Sequence, residues 1–295
     1  MKKWLRRLLQ GILLMIMAFS VVEIGTYLWQ RQHSNSQLNG VNRELEDLIQ
    51  ISADASTHST DEAIDVEHVD YTALMKRLLA MNGDTVAYIS IRGSENRYPV
   101  LQSKDNDFYL RRGIDKKYSI QGIPFMDYQN NPDLSDQNTI IYGHMMYYGD
   151  EMFGVLKHFL DQGYADKSEK LFSLLNQNGI YTYRIFAIRQ KLATDPYRYP
   201  NLEEKKFAAN LQDDLKNSEV NMQWKGSLTA KDRIVTLSTC TTNQDDTKRV
   251  VVVGVLVQVD TKERTVTRQE VLKDAAQGDW SKALKTPTET EASEQ

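Results

Sequence analysis

Three kinds of apolar spacing follow one another along this chain. From Leu8 to Trp29 it is almost continuously apolar, broken by Gln10, Ser20 and Glu23. A helix over 8–29 rises about 33 Å, close to the hydrocarbon core of a bilayer. Lys2, Lys3, Arg6 and Arg7 precede it, which predicts a cytoplasmic N-terminus over 1–7 and a chain that continues outside the cell. Trp4, Tyr27 and Trp29 fall where the two interfaces would lie. A cleaved signal peptide is the competing reading, because the unbroken core Gly11–Phe19 is short. Ala18-Phe19-Ser20 is a poor cleavage site and the apolar pattern runs past it, which favours an uncleaved anchor.

The spacing then becomes helical and amphipathic. Leu38, Val41, Leu45 and Leu48 predict a helix over Gln37–Ile51, and the Ser/Thr/Asp-rich run Ser52–Asp65 reads as a spacer, so that 30–67 is a helix and spacer outside the membrane. Leu74, Met75, Leu78 and Leu79 predict a second helix over Val69–Met81, stopped by Asn82-Gly83. From Asp84 the period shortens to that of strands. Eight are predicted, at 85–92, 97–102, 118–127, 138–144, 169–176, 180–193, 232–240 and 248–260, with Asn178-Gly179 as a hairpin turn. Short helices are expected near Arg111 and over Met152–Leu160, and a longer one over Leu202–Asn217 between strands six and seven. Eight mostly antiparallel strands imply a mainly β fold with helices, a closed barrel spanning 68–262 that leaves no exposed edge. Residues 263–295 read as a polar tail, disordered by composition from Thr286.

Composition narrows the function classes. The chain has 295 residues, 41% of them hydrophobic, enough for a sizeable core, and its net charge of −4 argues against a nucleic-acid partner. One cysteine excludes an internal disulfide framework, and with no Cys/His cluster neither a metal nor a cofactor is expected.

That cysteine, Cys240, closes the β-favouring run Ile234-Val-Thr-Leu237-Ser-Thr-Cys240, and Arg249 opens the Val-rich strand that follows a polar loop over Thr241–Thr247. Consecutive antiparallel strands would bring the two to one end of a sheet, where a neighbouring guanidinium favours thiolate. Taken alone, Cys240 could equally be a small buried hydrophobe. Of the five histidines, His144 in Thr139-Ile-Ile-Tyr-Gly-His144 stands just past an apolar strand, and strands four and seven as neighbours would complete a Cys, His and cation set. His158 reads as a half-buried surface residue, and His33, His58 and His68 as solvated.

Thr236-Leu-Ser-Thr-Cys240, an arginine nine positions on, and Tyr-Gly-His144 about a hundred residues earlier together resemble the sortases. The helical insertion before the cysteine strand and the helices before the barrel resemble class B. The resemblance covers about 68–262. It implies an eight-stranded barrel and an extracellular Gram-positive cysteine transpeptidase. Cys240 would attack the carbonyl of a sorting-signal threonine to form a thioester, His144 would move protons, and Arg249 would hold the oxyanion or the substrate backbone. It also implies a peptide groove at Asn106 and Leu110, in Gln102-Ser-Lys-Asp-Asn-Asp-Phe-Tyr-Leu110, and at Ser238, with Thr194 and Tyr197 contributing from the insertion. For Leu110 and Tyr197 the alternative is core packing. The implied partners are surface proteins or pilins with C-terminal sorting signals, of which an Asn-Pro-x-Thr pentapeptide is the class default, and an amine acceptor from peptidoglycan or a pilin lysine.

Three features depart from neighbouring patterns. Asp195-Pro-Tyr197 lies after His144, so it is not the lid that class C carries before its barrel. No acidic cluster matches the calcium site of class A. Thr242 stands two after the cysteine, where an acidic residue is expected. Two further readings remain open on the residues alone, a cell-surface binding barrel with a structural cysteine and a peptidase that releases acyl groups to water.

Overall fold

The computed structural model describes residues 3–50, 68–145, 149–242, 245–273 and 280–284. The Ser52–Asp65 spacer with His58, and the tail from Thr286, lie outside these residues, as do the side chains of Gln50, His68, residues 240–246 and residues 281–282.

The membrane-length stretch and the first amphipathic helix are one element, α1 (Lys3–Leu45). Gln30, Arg31, Gln32 and Gln37 are good helix formers, and no proline occurs before Pro99, so the polar stretch between them carries the helix on. α1 contains the one helix among the described residues that is long and apolar enough to cross a membrane. Its far end buries Leu38, Val41 and Leu45 against the rest of the protein. A 3-10 turn (Glu46–Leu48) and a two-residue strand pair, Ile49–Gln50 with His68–Val69, lead to α2 (Tyr71–Met81). The Asp70 side chain accepts from the Ala73 amide at 3.0 Å, capping α2, and Asn82 ends it.

The barrel strands are β1 (Thr85–Ile91), β2 (Arg97–Leu101), β3 (Phe125–Met126), β4 (Asn138–Tyr142), β5 (Leu171–Asn176), β6 (Gly179–Leu192), β7 (Ile234–Thr242) and β8 (Asp245–Asp260). Their spatial order is β8, β6, β5, β1, β2, β3, β4, β7, and a β7–β8 pairing closes the ring. The neighbours are antiparallel except β2–β3 and β4–β7, which run parallel. The Val-rich run of β8 is apolar on both faces because both are covered. Val250 and Val252 join the barrel interior, while Val251, Val253 and Val255 pack outward against Phe207 and Leu211 of α4 (Glu204–Lys216), the helix of the insertion.

The third strand is much shorter than the expected 118–127. Gly122 turns the chain at φ +57, where a Cβ would lie 2.5 Å from the Leu110 carbonyl oxygen, and Pro124 has no N–H to give a ladder. The expected loop Thr241–Thr247 is instead mostly strand, as β7 continues to Thr242 and β8 begins at Asp245. The helices near 108 and 154 are 3-10 turns (Phe108–Arg111 and Gly154–Leu160), and α3 (Gln162–Lys167) follows the second.

Beyond 262 the chain departs from the expected polar tail. β9 (Thr265–Thr267) pairs with the end of β8, α5 (Arg268–Lys273) follows, and α6 (Trp280–Ala283) returns to the body. Val266, Val271 and Trp280 are buried, and their wide spacing hides them in a polar composition. Arg268 grips the fully buried Asp232 through both carboxylate oxygens and donates to the Ser227 carbonyl at 2.7 Å. Arg268→Ala strands that carboxylate, and we expect a loss of about 3–5 kcal/mol in the denaturant midpoint analysis.

Candidate active site

β7 is the strand on which the site is built. On one side Arg249 of β8 is the register partner of Cys240, and Lys191 of β6 is the partner of Arg249 beyond it. On the other side β4 runs parallel, ending with Tyr142 opposite Ser238. Each strand continued by two residues gives positions 144 and 240. The Gly143 amide extends the ladder, donating to the Ser238 carbonyl at 3.1 Å. The sequence condition that strands four and seven be neighbours is therefore met in the fold.

His144 is half-buried and gripped twice. Its carbonyl accepts from the Phe153 amide at 3.0 Å, and its Nε2 lies 2.7 Å from the Leu110 carbonyl oxygen. A carbonyl only accepts, so Nε2 carries the proton in this contact. Gly143 makes the arrangement possible, since a Cβ there would sit 2.6 Å from Cγ of the buried Phe153 ring. Gly143→Ala displaces the residue whose amide fixes His144, and we expect kcat to fall roughly tenfold or more, read in a peptide-cleavage assay with the fold checked by circular dichroism.

Two of the expected groove residues, Tyr197 and Ser238, meet directly, their hydroxyls 2.9 Å apart. Asn106 donates to Asp127 Oδ2 at 2.9 Å and accepts the Tyr128 amide at 3.1 Å. Tyr142 donates to the same Oδ2 at 2.7 Å. Burial first, then the bond to Asp127, holds the Tyr142 phenol above the usual tyrosine range, so it stays a donor. Leu110 is 37% exposed, which sets aside core packing for its side chain. Tyr197 is packed in the outer cluster with only its hydroxyl engaged at Ser238, so core packing does describe its ring. Thr194 is exposed in the turn after β6, which is tied to β8 by the Ala193 amide on the Thr247 carbonyl at 2.7 Å.

Sequence reasoning missed Asp127 and Tyr142, which join Asn106 to the end of β4. The signal for Tyr142 was present, since it is two before His144 on an alternating strand. Asp127 gave none, as its partners come from residues 106 and 142. His158 is a surface residue paired with Asp150 at 2.8 Å, and His33 stacks on Trp29. Among the described residues no group of three or more His, Cys, Asp or Glu could hold a metal.

The sequence model described as "Sortase domain" matches residues 89–257, more than half of the chain and all of β4, β7 and most of β8. The chain belongs to the sortase family. Sortase B of Listeria monocytogenes is 33% identical over 87% of this chain and 98% of that protein. Sortase B of Staphylococcus aureus is 35% identical over 61% of this chain and 72% of the relative. Among solved structures, the Staphylococcus aureus sortase B–substrate complex superposes with a TM-score of 0.63 at 28% identity, covering 77% of this chain and 97% of that one. Clostridium perfringens sortase B superposes with a TM-score of 0.57 at 31% identity, covering 62% of this chain and 98% of that one. The class is B and the enzyme is a sortase B-type transpeptidase, with the closed eight-stranded barrel of these structures.

Proposed function

We propose that Cys240, His144 and Arg249 cleave a sorting signal after its threonine and pass the acyl group to an amine. The observation that carries this reading is the register of β7, with Arg249 across from position 240 on one side and the chain leading to His144 along the other. Sγ of Cys240 attacks the threonine carbonyl carbon, and the oxyanion accepts charge-assisted hydrogen bonds from Arg249. As the C–N bond breaks, His144 gives its proton to the leaving amine and a thioester remains. An incoming amine then loses a proton to His144 and attacks the thioester, and the new C–N bond forms as the thiolate departs. With Nε2–H engaged by Leu110, the ring nitrogen that exchanges protons in this scheme is Nδ1.

Asn106, Leu110, Thr194, Tyr197 and Ser238 form the groove for the signal peptide in the same reading, with Asp127 and Tyr142 bracing it. The substrates are surface proteins or pilins with a C-terminal sorting signal, and the acceptor is a peptidoglycan cross-bridge amine or a pilin lysine. α1 anchors the enzyme by a single pass, N-terminus inside and barrel outside; its apolar length and the basic residues before it support this.

The test is intact-mass analysis of the full chain in detergent, mixed with a panel of sorting-signal peptides. A covalent adduct confined to Cys240 and discharged by added amines is the expected result, and the amine that discharges it separates wall anchoring from pilus assembly. Discharge by water alone would make the enzyme a hydrolase. A folded protein whose thiol resists both peptides and alkylating agents would be a binding barrel.

A further inference from the structure

The reading of His144 as the proton-moving group leaves a question of what holds it, and the answer leads to the membrane-side helix. Among the described residues, two segments grip His144. One is the 108–123 loop, whose Leu110 carbonyl meets Nε2, and the other is 149–153, whose Phe153 amide meets the backbone. Neither is fixed by the barrel alone. Both are bound by residues 31–37, about two turns of α1 directly after the apolar stretch.

Arg31 donates to Glu151 Oε1 at 2.6 Å, and Asn35 donates to the same oxygen at 3.3 Å. Asn35 accepts from Gln121 at 2.9 Å, Ser34 and Ser119 share a hydrogen bond at 3.0 Å, and Gln37 donates to Asp115 at 3.0 Å. Gln121 adjoins Gly122, which is pressed on the Leu110 carbonyl that His144 meets. Met152, the neighbour of Glu151, bridges to Met145, the neighbour of His144, and its amide is held by the Tyr98 hydroxyl at 3.0 Å. The path from Arg31 to His144 is thus two contacts long on one side, and that from Asn35 about as short on the other.

We propose that Arg31 and Asn35 are positioning residues for His144, so that the helix leaving the membrane sets the geometry of proton transfer. This rests on the role given to His144 above. Burial, the largest single influence, would raise the Glu151 carboxyl, but the hydrogen bond and charge of Arg31, a backbone hydrogen bond and the Asn35 amide together outweigh it and hold the group below its ordinary value, so the pair is ionised at neutral pH. In the Arg31–Glu151 pair Nη2 meets Oε1 at 2.6 Å, a charge contact that lysine can replace.

The experiment uses the full chain in detergent and five variants, Arg31→Ala, Arg31→Lys, Glu151→Gln, His144→Ala and the Arg31→Ala, Glu151→Gln double. Arg31→Ala is expected to lower kcat roughly tenfold at unchanged KM, with a thermal midpoint within a few degrees of the parent, because a small displacement of a reacting group costs rate and not peptide binding. Arg31→Lys should restore most of kcat. Arg31→Ala combined with Glu151→Gln should be no slower than the slower single variant, as expected of two groups acting through one contact. The inference is overturned if Arg31→Ala keeps the parental kcat while His144→Ala is inactive, or if its loss appears equally in KM and in the thermal midpoint. Activity retained in His144→Ala would instead overturn the reading of the site itself.

Discussion

Cys240→Ala leaves a folded barrel with no turnover and no peptide adduct. The proposed route divides one amide exchange into two acyl transfers, and both need the sulfur, first as nucleophile and then as leaving group. No other thiol exists in the chain to take over. A loss of roughly 10⁴-fold or more is expected, since removing the nucleophile of a unit that acts together forfeits nearly all of its contribution. Position 240 lies within β7 between β4 and β8, and alanine keeps the backbone ladder, so the thermal midpoint should move by only a few degrees. Initial rates with a quenched sorting-signal peptide decide the matter, and a variant that still cleaves it would remove Cys240 from the mechanism.

Arg249→Lys should lose most of the activity while keeping the charge. In the proposed mechanism the oxyanion develops at one point beside position 240, and a planar guanidinium offers several donors at set angles, where an ammonium offers a flexible point charge. Loss of one well-aimed oxyanion donor costs about 10²–10³-fold in kcat, and a misdirected lysine should fall in that range. Arg249 is half-buried and its Nη1 donates to the Lys248 carbonyl at 2.9 Å, a contact that helps orient the fork along the strand. Single-turnover acylation rates separate this effect from substrate binding. A lysine variant with parental acylation would show that charge alone suffices at position 249. The contrast with Arg31, where lysine is expected to serve, follows from a charge contact with Glu151 against donors aimed at a developing oxyanion.

The barrel was legible because its strands announce themselves by composition. Seven of the eight expected strands keep most of their length in the structure, and the exception, the third, fails at Gly122 and Pro124, both visible as strand breakers inside a run that otherwise looks extended. The join of β4 to β7 was not readable from local pattern, because a parallel pairing leaves no turn signal between its strands. Asp127 stayed hidden for a related reason, since a buried acid is recognised by its partners, and Asn106 and Tyr142 are distant in sequence. The segment past Asp260 read as a tail because Val266, Val271 and Trp280 are isolated in polar surroundings. Their burial depends on the end of β8, which pairs with Val266, and on the main core that all three join.

The parallel contact of β4 with β7 also bears on when the enzyme becomes dangerous to its surroundings. Residues 144 and 240 stand nearly a hundred positions apart, and they meet only once the ring has closed through β7. Pairings of such long sequence separation form late, because the chain must surrender the entropy of the intervening loop first. Until then Cys240, even with Arg249 across the β7–β8 pairing, has no base beside it in the proposed mechanism. In the proposed mechanism an incompletely folded chain is therefore a latent acyltransferase, and completion of folding is its arming step.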